Sequence, residues 1–187
     1  MNIILFGPPG AGKGTQAKNL EKKLNNFQVS TGDMLRDEIK KDTEIGKKII
    51  NYMNEGKFVD DEIVNKLIKK VLLDPQKKDK LIFDGYPRTI EQAKNLDSLI
   101  KDSNQKIDFI FFLNVDKDTL IKRIEKRKIL EKRSDDDADT ILKRYDTYME
   151  ITKPVLDFYS SKNNFYEIDG SVEIAAISSK IEQILRV

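Results

Sequence analysis

The chain has 187 residues, with 34 Lys and Arg against 32 Asp and Glu and a formal charge of +2. That length fits one compact domain, and so even a balance argues against non-specific wrapping of nucleic acid, which needs a clear cationic excess. Cys and His are both absent, which excludes disulfides, zinc fingers, thiol nucleophiles and histidine as a base or metal ligand.

Residues 2–6 form a short apolar run stopped by Gly7-Pro8-Pro9-Gly10, which predicts a buried strand. Residues 15–24 have the composition of a helix, and Phe27-Gln28-Val29 is a second strand leading into Ser30-Thr31-Gly32-Asp33. Ser30, with Asp33 three residues on, predicts a capped helix through Lys40. Helical patterns follow over residues 44–55 and 60–73, then a strand over 81–83 and a helix over 89–101. Residues 109–113 are the most hydrophobic strand, followed by a helix over 117–128. The charged stretch 129–139 has poor periodicity and reads as a surface excursion, after which a helix over 138–151, a strand over 165–168 and a terminal helix complete the chain. Five apolar strands alternating with helices predict an α/β layered fold with a parallel sheet. No run approaches the ~20 apolar residues of a membrane span, and residues 1–6 lack the basic lead of a signal peptide. A soluble, reducing, cytoplasmic setting is expected, with no membrane and no nucleic-acid partner.

Gly7-Pro8-Pro9-Gly10-Ala11-Gly12-Lys13-Gly14-Thr15 follows a strand and opens a helix, the context in which a glycine-rich loop cradles phosphate. Backbone N–H groups converge there without Cβ clashes, the helix start favours an anion, and Lys13 adds a point charge. The strict pattern has Ser or Thr directly after the lysine, whereas here Gly14 precedes Thr15. Only seven of the 34 cations are arginine, at 36, 88, 123, 127, 133, 144 and 186. In so lysine-rich a chain each arginine invites a reason, because its planar fork suits phosphate.

The segment GPPGAGKGTQ, Gly7 to Gln16, resembles the phosphate loop of the adenylate kinase family, where Gly14 is the usual residue. STGDMLR from Ser30 and DGYPRTIEQ from Asp84 resemble the same family. The similarity continues through Arg123, Arg127, Arg133-Ser134-Asp135-Asp136 and Arg144 to Gly170, so it covers essentially the whole chain. The short stretch between Arg127 and Arg133 resembles the short-lid form, which lacks the insertion that can carry zinc.

This resemblance implies a P-loop NTPase-like α/β fold, a five-stranded parallel sheet flanked by helices, with a small AMP-binding lobe at 31–59 and a lid at 123–136. It implies reversible phosphoryl transfer from Mg-ATP to AMP, giving two ADP, by a monomer. Gly10, Ala11, Gly12, Lys13, Gly14 and Thr15 would hold the ATP phosphates, with Arg123 near the adenine, Arg127 facing the phosphates and Gly170 offering backbone contacts. Arg36 and Arg88 would grip the AMP phosphate. Thr31, Lys57, Phe58, Val59, Gly85, Tyr86, Pro87 and Gln92 would form the rest of the AMP site, and Arg133 and Arg144 would close over the reacting groups. The catalytic set is then Lys13, Arg88, Arg123, Arg127, Arg133 and Arg144, with Asp135 and Asp136 orienting arginines and lid. Asp84, at a strand end, would hold magnesium through water, with Thr15 as a further ligand and no zinc; hard oxygen donors suit that ion.

Gln92 matches adenine because its amide pairs a donor with an acceptor. A UMP/CMP kinase is the alternative, and the resemblance implies Ala near position 31 and Asn near position 92 for that class. A nucleotide switch is a rival of another kind, but the chain has no Asn-Lys-x-Asp and no Asp-x-x-Gly. The chain departs from the family at Lys126 and Lys132, where glycine is common, and at Tyr86, where Phe is frequent.

Overall fold

Ile3, Ile4, Leu5 and Phe6 are all buried, and alternate residues feed different cores. Ile3 and Leu5 join one apolar cluster, Ile4 and Phe6 the other, as the two-residue period of a strand requires. This strand, β1 (Ile3–Phe6), is therefore covered on both faces, which is why an unbroken apolar run can lie at the centre of a parallel sheet.

The computed structural model describes residues 1–131 and 138–187. Among them lie β2 (Phe27–Ser30), β3 (Leu81–Asp84), β4 (Phe109–Asn114) and β5 (Phe165–Asp169), paired in parallel in the order β2-β3-β1-β4-β5. The helices are α1 (Lys13–Leu24), α2 (Thr31–Lys40), α3 (Glu44–Asn54), α4 (Asp61–Leu72), α5 (Ile90–Asp102), α6 (Lys117–Glu131), α7 (Ala138–Thr147), α8 (Lys153–Ser160) and α9 (Ile174–Leu185). Ala17 and Leu20 of α1, Leu120 of α6 and Ile177 and Ile181 of α9 pack on one face of the sheet. Ile68 of α4, Leu96 of α5 and Tyr159 of α8 pack on the other. This is the α/β, P-loop NTPase-like architecture expected, a five-stranded parallel sheet flanked by helices.

The chain leaves β1 for β2 and β3 on one flank, then crosses to β4 and β5 on the other. A crevice outside the carboxyl ends of the strands is where such a sheet binds ligands. Leu5 of β1 is level with Asp84 of β3, so the glycine loop and that carboxylate emerge side by side.

The helix expected over 138–151 is instead α7, then a π-helical turn (Tyr148–Thr152), then α8. Pro154 stands in the first turn of α8, which follows the π-helical turn without a break in helical backbone. Within the stretch expected as a surface excursion, α6 continues through Glu131 and α7 opens at Ala138. No helix of the described residues is long and apolar enough to cross a membrane.

Candidate active site

The loop after β1 turns through Gly7, Gly10 and Gly12, all at positive φ, with Gly12 at 91° capping α1. Gly12 brings no side-chain oxygen to the helix start, and the first turn of α1 holds no acidic residue. The first N–H groups of α1 therefore face outward as an anion seat. Lys13 folds back over the loop, its Nζ donating to Gly7 O at 2.7 Å and Pro8 O at 3.0 Å. Burial lowers the Lys13 pKa to about 8; Asp84 opposes that shift, while Arg88, Arg144 and Arg127 add to it. Four arginine and lysine groups from distant parts of the chain thus act on one spot. Thr15 is exposed on the first turn of α1.

Asp84 ends β3 and accepts from Gln28 Nε2 at 2.9 Å. A Cβ on Gly14 would lie 3.4 Å from Asp84 Oδ2, so the helix start and the carboxylate are in contact range. Among the described residues no group of three or more acidic side chains is placed to hold a metal ion on its own. One carboxylate and one hydroxyl beside a phosphate seat do fit magnesium, which keeps its waters and binds through one or two carboxylates plus substrate phosphates.

A crevice opens beside Lys13. Thr31, Arg36, Arg88, Gln92 and Arg144 line it, as do Lys57, Phe58, Val59, Gly85 and Pro87. Gly85 O takes two hydrogen bonds at 2.7 Å, from Thr31 Oγ1 and from Arg88 Nε. The Arg88 guanidinium also sits 5.5 Å from the Phe58 ring centroid, a cation–π contact that orients the fork. Arg36 pairs with Asp33, and Lys57 at the rim pairs with Glu55 at 2.6 Å. Arg144 packs against Gly56, where an added Cβ would meet its Cγ at 3.0 Å. Thr140 of α7 donates to Asn54 O at 3.2 Å, so α7 rests on the end of α3.

Other expected residues lie elsewhere. Tyr86, joined to Pro87 by a cis peptide, is buried behind the crevice, with its hydroxyl 2.8 Å from Asn65 Oδ1. Burial pushes its pKa up to about 12. Arg123 lies on the loop's far side, donating from Nη1 to Gly170 O at 2.7 Å and from Nη2 to Val172 O at 3.0 Å. It thereby holds the Gly170 turn close to the phosphate loop, whose Ala11 O is 3.5 Å from the same Nη1. Arg133, Asp135, Asp136 and the neighbouring Lys132 fall outside the described residues.

The sequence did not single out Gln28, Asp61, Tyr148 or Thr152. Tyr148 and Thr152 line the crevice below Arg144, and their hydroxyls have no hydrogen-bond partner among the described residues. A signal existed, since Arg144, Tyr148 and Thr152 recur every fourth residue. Asp61 gave none beyond that of an acidic first-turn residue, a common stabiliser of helix starts.

A family model described as adenylate kinase matches residues 5–164. Curated proteins named adenylate kinase are similar to the chain. One from Pelagibacter ubique is 49% identical over an alignment covering all of both chains. One from Mycoplasma capricolum is 44% identical over 90% of this chain and 91% of its own. One from Hyphomonas neptunium is 42% identical over all of this chain and 98% of its own.

Proposed function

The chain belongs to the adenylate kinase family, and we propose that the crevice beside Lys13 is where its two nucleotides meet. The reaction is reversible phosphoryl transfer from ATP to AMP, giving two ADP, and the relatives lend no support to a UMP/CMP kinase. Such a transfer needs donor and acceptor phosphates in line and the developing charge offset, with little acid–base chemistry. In this reading residues 7–15 hold the ATP phosphates on backbone N–H groups, and Lys13 leaves its loop carbonyls to follow the phosphoryl group. Arg36 and Arg88 hold the AMP phosphate, and Arg127 and Arg144 offset charge between the two. Arg123 and Gly170 support the ATP adenine, and Thr31, residues 57–59, residues 85–87 and Gln92 enclose the AMP. Arg133 belongs to the same set by resemblance and lies outside the described residues.

The observation that carries the reading is that Asp84, Arg88, Arg127 and Arg144, from separate parts of the chain, all act electrostatically on Lys13 beside the glycine loop and the crevice. Asp84, through water, and Thr15 would hold magnesium arriving with ATP, and the ion would supply positive charge against the charge of the phosphates. Residues 31–59 serve as the AMP lobe and 123–136 as the lid, and closing them excludes water from the phosphoryl group. The near-even charge supports action on free nucleotides in place of nucleic acid, and the monomer and the cytoplasmic setting are carried over from the family resemblance.

Initial rates of ADP formation from ATP with AMP, UMP or CMP test the assignment, run beside Lys13→Ala and Arg88→Ala. AMP should be the preferred acceptor, and each substitution should remove most of kcat. Near-normal ADP formation by Lys13→Ala would sink the phosphate-loop assignment, and steady phosphate release from ATP alone would favour a nucleotide switch.

A further inference from the structure

Gln92 is only 2% exposed yet forms part of the crevice wall, and both ends of its amide are engaged. Oε1 accepts from the Arg88 backbone N–H at 2.7 Å, and Nε2 donates to Asp61 Oδ1 at 2.6 Å. Asp61 Oδ2 accepts from Thr89 Oγ1 at 2.7 Å, and that hydroxyl oxygen accepts in turn from Gln92 N at 3.0 Å. The ring so closed ties the first turn of α4 to the start of α5.

This ring removes a freedom that a glutamine ordinarily keeps. Turning the amide over would set its carbonyl against the Asp61 carboxylate and its NH2 against the Arg88 N–H, both repulsive. The carboxylate is the stronger restraint, because hydrogen bonds to an ionised acceptor are roughly twice as strong as neutral ones. One Nε2 proton and one Oε1 lone pair remain for a ligand, in a fixed order. Adenine presents an exocyclic amine donor beside a ring-nitrogen acceptor. Hypoxanthine and uracil present the reverse, an exocyclic oxygen acceptor beside a ring N–H. A freely turning amide would pair with either kind of edge.

We propose that Asp61 sets base specificity at the acceptor site by pinning the Gln92 amide in the orientation that reads an amino-substituted base and rejects an oxo-substituted one. Asp61 is absent from the crevice wall, so it is a positioning residue acting through Gln92. The inference rests on the reading of Gln92 as the adenine contact.

The test is kcat and KM for AMP and for inosine monophosphate, at saturating ATP, in the unsubstituted enzyme, Asp61→Asn, Asp61→Ala and Gln92→Met. Asn keeps the size of Asp but can donate as well as accept, and Ala removes the contact. Both should raise the ratio of kcat/KM for inosine monophosphate to that for AMP by about tenfold, the worth of one hydrogen bond. The change should lie mainly in KM, whereas a merely structural role would weaken both nucleotides together. A ratio unmoved in both Asp61 variants but shifted in Gln92→Met overturns the proposal and leaves the Gln92 reading standing. A ratio unmoved in all three overturns both. The unsubstituted enzyme gives a reading that needs no variant. With AMP bound, NMR should find one Gln92 side-chain amide proton protected from exchange by its bond to Asp61, and rapid exchange of both protons would overturn the proposal.

Discussion

Gln28 Nε2 donates to Asp84 Oδ2 at 2.9 Å from the neighbouring strand. Ser30 is level with Asp84 in the β2–β3 pairing, so Gln28, two residues earlier, shares its face and meets the carboxylate diagonally. The bond fixes the direction of the one carboxylate proposed to hold magnesium. Gln28→Leu should raise the magnesium concentration for half-maximal activity by about tenfold, the scale for groups that orient metal ligands, with the KM for AMP little changed. Magnesium titration of initial rates checks this, and an unchanged titration would remove Gln28 from the site.

Lys13 titrates near pH 8 because burial disfavours its charge more than Asp84 favours it. The folded protein then binds fewer protons at this amine than the unfolded chain does. Its cost to stability is complete below about pH 8 and fades as the pH rises from there toward 10.5. Nucleotide phosphates seated on the loop should restore the charge. Calorimetry of a bisubstrate analogue near pH 8, in buffers of different ionisation enthalpy, should therefore show proton uptake. Lys13→Arg, which stays charged, should abolish that uptake; uptake of the same size in the variant would assign it to another group.

Gly10 and Gly12 both sit at positive φ but in different surroundings. A Cβ on Gly10 would stand 2.7 Å from Ile124 Cγ1, whereas one on Gly12 would meet nothing within 4 Å. Gly12→Ala should cost about 1–2 kcal/mol from backbone conformation alone and still lose activity, because the methyl group enters the proposed phosphate space. Gly10→Ala carries the clash as well and should unfold at the lower temperature. Thermal melts beside ADP assays rank the two, and equal melting temperatures would contradict the steric argument.

Tyr148 holds a buried hydroxyl with no partner among the described residues, and burial raises its pKa well above the ordinary phenol range. An unpaired buried hydroxyl costs about 1–3 kcal/mol. Tyr148→Phe should leave the ligand-free protein as stable or more stable. A loss of more than about 1 kcal/mol in denaturant unfolding would mean that the hydroxyl is paired in solution.

The phosphate loop was legible because its parts are neighbours in the chain: strand, glycines, lysine and helix follow one another from Ile3 to Leu24. Caps were legible for the same reason, as Ser30 over Asp33 illustrates. Base-site residues such as Gln92 were named through family resemblance, but their partners were hidden. Asp61 meets Gln92 across 31 positions and Gln28 meets Asp84 across 56. α8 was missed because the π-helical turn before it, Tyr148–Thr152, interrupts the 3.6-residue period that the sequence reading follows.

What the amino-acid order determined alone was the alternation of apolar runs and helical faces, hence a parallel layered sheet, and a lysine-tipped loop at the end of its first strand. Those features depend on periodicity and on contacts between adjacent residues. Which side chain faces which across the crevice was decided only when sheet register set Gln28 beside Asp84 and helix docking set α4 against α5. Hydrogen-bond direction is a property of pairs, and a pair far apart in the chain exists only once the backbone has brought its members together.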